Sequence, residues 1–333
     1  MAPPLPPELI DDAVAEILLR LPPDDPACLL RASLVCKPWR RILSDPSFPR
    51  RYREFHRTPP LLGFTLSVYT GGAGHITRLV IPNPTAARIP FLQPDFGCWA
   101  LDCRHGRFLL LLNRGAGLAV WDPITGDRKV LPKPDGKHAT ASAVASAWVY
   151  SSEATAWSAP ASVQIGERRF MVEMKRAAIV GDEIHFLLGR IGVATAILKF
   201  HLGKHCLSVV SLTGGLHGEP VLMPMEDGSL GLAGVNGSTL HLWSRKVDPE
   251  GVAGWVQCGV IALEKLLPID DDRRPNHRAH VMVMGFAEGV GLLFVRVDDR
   301  TFMLELKSGQ VKKVTTMPKY FYYALPFMSF YIP

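Results

Sequence analysis

The sequence predicts an α+β multidomain chain: a small α-helical module over residues 1–57, then an all-β antiparallel body over residues 58–333. Three observations predict it. Apolar residues recur at three- and four-residue spacing only between Leu9 and Leu43. From Pro59 onward, short apolar runs alternate with turn residues, in a chain holding 29 Gly and 28 Pro. No long helical pattern separates those runs, so strands are expected to pair with their sequence neighbours.

The helical elements come first. Asp11 and Asp12 sit where first-turn acids belong, near the positive end of a helix dipole. Val14, Ile17, Leu18 and Leu21 then form one apolar stripe, with Glu16 and Arg20 off it. Pro22-Pro23 stops that helix. Asp25-Pro26 starts a second, whose apolar positions are Leu29, Leu30, Leu34 and Val35. Pro38 suits a fresh first turn, so a boundary falls at Cys36-Lys37. A third helix carries Trp39, Ile42 and Leu43 and ends at Asp45-Pro46; a basic tail follows. Three helices this short bury too little to stand alone, and their apolar residues exceed what such a unit can enclose. The surplus is either a contact surface or part of the main core.

Charge is uneven. Residues 31–57 hold eight Lys and Arg against Asp45 and Glu54, a balance of +6. Phosphate is one partner for such a cluster; an acidic protein surface is the other. No base-reading or aromatic-interleaved pattern accompanies it, which argues against nucleic acid.

Four stretches together resemble an F-box: Leu5-Pro6-Pro7-Glu8-Leu9, Glu16-Ile17-Leu18-Leu19-Arg20-Leu21-Pro22, Leu30 through Arg40, and Asp45-Pro46-Ser47-Phe48. Tyr52 through Phe64 is similar to a large group of plant F-box proteins, especially from grasses. The resemblance implies a Skp1-like adaptor as partner and, through it, the cullin of a ubiquitin ligase. Leu5, Pro6, Leu9, Ile17, Leu18, Leu21, Pro22, Leu30, Val35, Cys36 and Trp39 fall on positions that build the helices or touch that adaptor.

The body reads as roughly twenty short strands. Leu61–Val68 and His75–Ile81 flank a Gly-rich turn. Phe108–Leu112 and Leu118–Trp121 follow, the latter ended by Asp122-Pro123-Ile124-Thr125-Gly126, a turn with its own mechanism. Residues 133–162, rich in Ala and Ser, break the rhythm. It resumes through Ile184–Leu188, Ala196–Phe200, Cys206–Val210, Ser238–Trp243 and Trp255–Val260, and is clearest from Val281 to Thr315. This pattern fits a propeller or a large sandwich; blades of about 40–45 residues would give about six. The apolar end at Phe327–Ile332 is expected to pair with Leu61–Val68 and remove an exposed edge. Cys103-Arg104-His105-Gly106-Arg107, Val120 through Gly126 and Phe302 through Gly309 resemble the kelch-like region of the same plant group, without its paired glycines.

Chemistry is sparse. Cys98, Cys103 and His105 lack a fourth zinc ligand at suitable spacing. His277 and His280 beside Asp270-Asp271-Asp272 read as a solvated loop. No nucleophile-elbow, zincin or phosphate-loop pattern is present. No enzyme, cofactor or metal is expected, and no apolar run reaches the about 18 residues of a membrane span. Six scattered cysteines and no secretory segment suggest the cytoplasm or nucleus. The expected role is to recruit an unknown target protein to a ubiquitin ligase; the alternative is a non-degradative protein- or ligand-binding scaffold. Loops 248–254 and 270–276, where acids and bases alternate, are the preferred target contacts, through Trp255, Asp270, Asp271, Arg273 and Arg274.

Overall fold

The computed structural model describes residues 9–69, 75–82, 97–112, 117–134, 143–165, 170–173, 175–190, 193–212, 219–269, 280–314 and 321–332. Four helices lead: α1 (Asp11–Leu19), α2 (Ala27–Ser33), α3 (Lys37–Leu43) and α4 (Phe48–His56). The stops at Pro22-Pro23 and the start at Lys37 fall as expected. The basic tail does not stay a tail. Phe48 and Tyr52 stand four residues apart on one face, both buried, while Arg50, Arg51 and Arg53 face solvent. One buried stripe was enough to make a fourth helix.

Among the described residues five antiparallel blades follow, not six. Blade 1 joins β1 (Leu61–Tyr69) and β2 (His75–Val80) to β24 (Phe321–Met328). Blade 2 is β3 (Cys98–Arg104), β4 (Arg107–Leu112), β5 (Gly117–Trp121) and β6 (Arg128–Leu131). Blade 3 holds β11 (Met171–Val172), β12 (Ala178–Val180), β13 (Glu183–Arg190), β14 (Val193–His201) and β15 (Cys206–Ser211). Blade 4 is β16 (Val221–Pro224), β17 (Leu230–Asn236), β18 (Thr239–Val247) and β19 (Ala253–Ala262). Blade 5 is β20 (Val281–Ala287), β21 (Leu292–Val297), β22 (Arg300–Glu305) and β23 (Val311–Val314).

Residues 143–162, within the stretch that breaks the strand rhythm, form no sixth blade. That stretch instead makes a narrow ribbon, β7 (Val144–Ala147) on β10 (Ala161–Gln164) and β8 (Tyr150–Ser151) on β9 (Ala156–Trp157). Its Ala and Ser side chains are too small to support two sheet faces. The ribbon lays Ala145 and Val163 against Leu188, Ala196 and Leu198 of blade 3. Trp157 Nε1 donates to Pro132 O beyond β6 at 2.8 Å, so the ribbon bridges blades 2 and 3.

The ring closes on the expected partner but with an earlier stretch: of the ending Phe327–Ile332 only Phe327 and Met328 pair with β1. β24 runs antiparallel to β1, with Phe64 opposite Pro326 and Leu66 opposite Ala324. Residues 321–323, 327 and 328, from two runs read separately, belong to this one strand, and 329–331 follow it; it passes through Pro326 because it lies at a sheet edge. Apolar clusters fill the wedges between blades 1 and 2, 3 and 4, 4 and 5, and 5 and 1.

Candidate adaptor and target surfaces

The helical core is Val14, Leu18, Leu19, Leu29, Ala32, Leu43, Phe48 and Tyr52, with Leu21, Trp39 and Ile42 packed on its margin. Tyr52 Oη donates to Leu21 O at 2.8 Å, which ties α4 to the end of α1. Burial pushes that phenol above its ordinary pKa. His56 Nε2 meets Leu19 O at 2.9 Å. The core is not complete within the helices. Phe330 stands edge-on to Tyr52, ring centroids 5.8 Å apart, and Ile332 packs beside it. The residues after β24 therefore seal the module, and Ser329 N donates to Pro60 O at 3.3 Å across the joint.

The acids of α1 meet the arginines of the later helices. Glu16 accepts from Arg20 at 2.9 Å and from Arg51 at 3.0 Å, and Asp11 pairs with Arg41. These exposed pairs offset part of the local positive charge and add about 0–1 kcal/mol each. Asp25 accepts from Cys28 Sγ at 3.2 Å and Arg31 Nη2 at 3.1 Å; the thiol first, then the guanidinium, hold its pKa below the usual carboxylate range.

The outside of the module is apolar. Leu34 is 78% exposed and Val35 63%, with Leu9, Ile10 and Ile17 also exposed, and Pro22 and Cys36 beside them in sequence-matched positions are exposed too. The predicted adaptor residues thus divide. Leu9, Ile17, Pro22, Val35 and Cys36 face outward; Leu21, Leu30 and Trp39 are half-buried; Leu18, at 1% exposure, is core. Leu18 acts by building the helices. Leu5 and Pro6 lie outside the described residues. Ile10 and Leu34 were not among the predicted contacts. Leu34 carried the signal, standing four residues after Leu30 and next to Val35.

At the ring axis the inner strand of blade 3 bulges between β11 and β12, and the bulge carries Lys175 and Arg176. Arg176 Nε reaches Asp102 Oδ1 at 3.2 Å, and its Nη2 reaches Glu288 Oε2 at 3.4 Å. Arg104 reaches the same two acids at 3.0 and 3.6 Å and donates to Ala177 O. Arg176 also donates to Phe286 O. Lys175 Nζ lies 3.2 Å from Glu173, 3.4 Å from Glu219 and 3.2 Å from Pro220 O, at the start of β16. Two adjacent cations so tie together blades 2, 3, 4 and 5.

Trp255 lies on β19 with its ring half-buried against the wedge between blades 3 and 4, not free in a loop. Asp270, Asp271, Arg273 and Arg274 lie outside the described residues. The turn closed by Asp248 N and Val252 O stands at one end of β19; Ile269 and His280, flanking the second loop, stand at the other. Cys98 and Cys103 are buried between blades 1 and 2, and burial pushes the Cys103 thiol well above its ordinary pKa. Among the described residues no His, Cys, Asp and Glu group is placed to hold a metal, and no helix is long and apolar enough to cross a membrane.

Comparison with solved structures gives distant likenesses. A protein from Lactobacillus plantarum shares 13% identity over 76% of this chain and 81% of its own, with a TM-score of 0.42. The WD40 domain of SCAP from fission yeast shares 13% over 69% and 54%, at 0.38. A nidogen–laminin complex shares 12% over 80% and 98%, at 0.35. Scores this low carry no argument. No curated protein matches. Two family profiles do match. Residues 6–51 fit the F-box domain, and residues 135–333, more than half the chain, fit the β-propeller of the F-box protein AT5G49610-like type. The chain therefore belongs to the plant-type F-box proteins with an AT5G49610-like β-propeller.

Proposed function

We propose that the chain is the substrate-recruiting subunit of a cullin–RING ubiquitin ligase. The helical module binds a Skp1-like adaptor, and the propeller holds a target protein. The contribution to ubiquitin transfer is proximity: a target lysine is brought near a charged carrier enzyme that does the chemistry. One observation carries the adaptor reading. In a module matched as an F-box, Leu34, Val35 and Ile17 stay exposed while their neighbours Leu18, Leu29 and Leu43 are buried. Exposed apolar side chains beside a finished core mark a contact surface. The ion cluster weighs against a small ligand held there, since the charges of Arg104 and Arg176 are already matched by Asp102 and Glu288. Such an adaptor would work in the cytoplasm or nucleus.

The test is co-purification of the full chain with a Skp1-like adaptor. Leu34→Asp with Val35→Asp is expected to reduce recovery of the adaptor at least tenfold without lowering the thermal midpoint, because both side chains are already in water. Undiminished recovery would sink the adaptor surface. Target ubiquitylation is read separately, by comparing ubiquitylated proteins with and without the double variant.

A further inference from the structure

Each blade ends on an outer strand with one edge unpaired among the described residues. Such an edge is a row of backbone donors and acceptors that another strand can take up. Four of the five outer strands are guarded. β2 is six residues long and carries Arg78. β6 has Arg128 and Lys129, and β23 has Lys312 and Lys313, each in a strand of four residues. β15 has β10 of the ribbon packed against it, and His205 Nε2, just before it, meets Ala159 O at 2.9 Å. β19 has none of these guards. It is the longest described strand, ten residues from Ala253 to Ala262, without a charge or a proline.

The side chains of β19 leave that edge open. Val256 and Val260 are 52% and 53% exposed, and Gln257 and Cys258 between them are exposed too. The facing strand β18 is regular, so Val256, opposite Ser244, and Val260, opposite His241, lie on opposite faces of the blade. Trp255, opposite Arg245, shares the His241 face, which packs toward blade 3. An added strand therefore meets apolar side chains on both faces. The bulge at Cys258 decides between a second copy and another chain. Two copies paired about a two-fold axis at Cys258 would set Val256 opposite Val260, and these point to opposite faces, so the pairing fails. A two-fold pairing kept to one side of the bulge reaches no further than Ala253–Gln257, half of the strand. A different chain has no such symmetry to satisfy. It can pass Cys258 with two residues of its own, as Leu242 and Trp243 of β18 do.

We propose that the free edge of β19 is the target-docking site, and that it takes an extended, uncharged segment of the target, rich in β-branched residues, as a fifth strand of blade 4. Main-chain hydrogen bonds hold the segment, and its alternate side chains meet Val256 on one face and Trp255 and Val260 on the other. A charged segment is disfavoured, because no charged side chain of β19 stands opposite it. This deepens the target-recruiting reading above and rests on it.

The probe is a fluorescein-labelled peptide, Lys-Thr-Val-Thr-Val-Thr-Val-Thr-Lys, titrated against the full chain by fluorescence anisotropy; its terminal lysines keep it soluble. One control peptide is N-methylated at every Val and Thr, which keeps the side chains and removes the backbone donors. The parent peptide is expected to bind about tenfold tighter than this control, or more. Val256→Lys with Val260→Lys is expected to weaken it about fivefold or more, with folding retained because both side chains are already in water. Val209→Lys, a matching change at an exposed position of β15, should leave it unchanged. Hydrogen exchange should show peptide-dependent protection of the β19 amides. The proposal is overturned if both peptides bind alike, if neither binds, if the β15 change weakens binding as much as the β19 pair, or if protection falls elsewhere. Light scattering that shows a dimer dispersed by the peptide would also overturn it, by assigning the edge to a second copy. Adaptor recovery is measured on the same samples: peptide binding without adaptor binding would keep the edge and remove the ligase reading, and the reverse would do the opposite.

Discussion

The helical module and the ring treat their apolar side chains in opposite ways. In the ring, each blade has a neighbour on either side, and its large apolar residues enter clusters between sheets. Those left outside, such as Val256 and Val260, lie on an outer strand and are split by a bulge at Cys258, the residue that β19 inserts opposite Leu242 and Trp243. The module has no second layer. It buries one face, borrows Phe330 and Ile332 from the ring to finish that face, and leaves Leu34, Val35, Ile17, Leu9 and Ile10 in water. Closure removes free surface; a single layer of four short helices retains it. That is why the ring encloses most of its large apolar side chains and the module leaves several of its own in water.

Four substitutions break or sharpen this contrast. The largest effect is expected from Tyr52→Ala, which deletes a fully buried ring, its bond to Leu21 O and its contact with Phe330. Loss of an aromatic from a core costs about 3–5 kcal/mol. Far-ultraviolet circular dichroism should show helix lost at a lower temperature than strand. If both melt together at the parental midpoint, the module is not the separately fragile part.

Next is Arg176→Met, which leaves Asp102 and Glu288 facing the axis with Arg104 alone. Breaking a buried ion pair costs about 3–5 kcal/mol, and partial solvent access here brings the expectation to the lower end. Urea denaturation followed by tryptophan fluorescence should report it in the ring. An unchanged midpoint would mean that the ring does not depend on its axial cluster.

Acid should act on the ring too. His185 is 2% exposed; burial holds its pKa below the ordinary imidazole value of about 6.5, against the pull of Glu183, and Lys199 and Arg245 add to the lowering. The folded state keeps the ring neutral. Below that pH the unfolded chain takes up a proton that the folded chain refuses, so stability present above it is lost as pH falls through the folded value. The urea midpoint should therefore drop more between pH 7.5 and 5.5 in the parent than in His185→Gln. Equal drops would remove His185 from the acid response.

The smallest effect belongs to Glu16→Gln. Its bridges to Arg20 and Arg51 are exposed, and the change should stay within about 0.5 kcal/mol. A larger loss of thermal stability would make the charge between α1 and α4 a structural element after all.

Much of this fold was legible. Pro22-Pro23, Pro38 and the Asp122–Gly126 turn fixed boundaries because proline and glycine act locally. Ring closure was legible because a strongly apolar ending needs a partner strand. α4 was hidden by its arginines, which masked a stripe of only Phe48 and Tyr52. The missing blade was hidden by the assumption that equal lengths make equal sheets, although Ala and Ser between His138 and Ala147 cannot fill a wedge. β16 escaped notice as four residues ending in Pro224. The axial cluster was out of reach altogether: Asp102, Arg176 and Glu288 come together only when three blades do, and no local spacing encodes that.

The seal made by Phe330 and Ile332 has a consequence for biosynthesis. Translation delivers α1 through α4 first and these two residues last, and at about 5–20 residues per second that interval is on the order of tens of seconds. Throughout it the nascent module has an open core as well as an apolar exterior. A ribosome that stalls within the propeller leaves a chain whose Tyr52 lacks its cover. The joint therefore makes a sound module contingent on a completed ring.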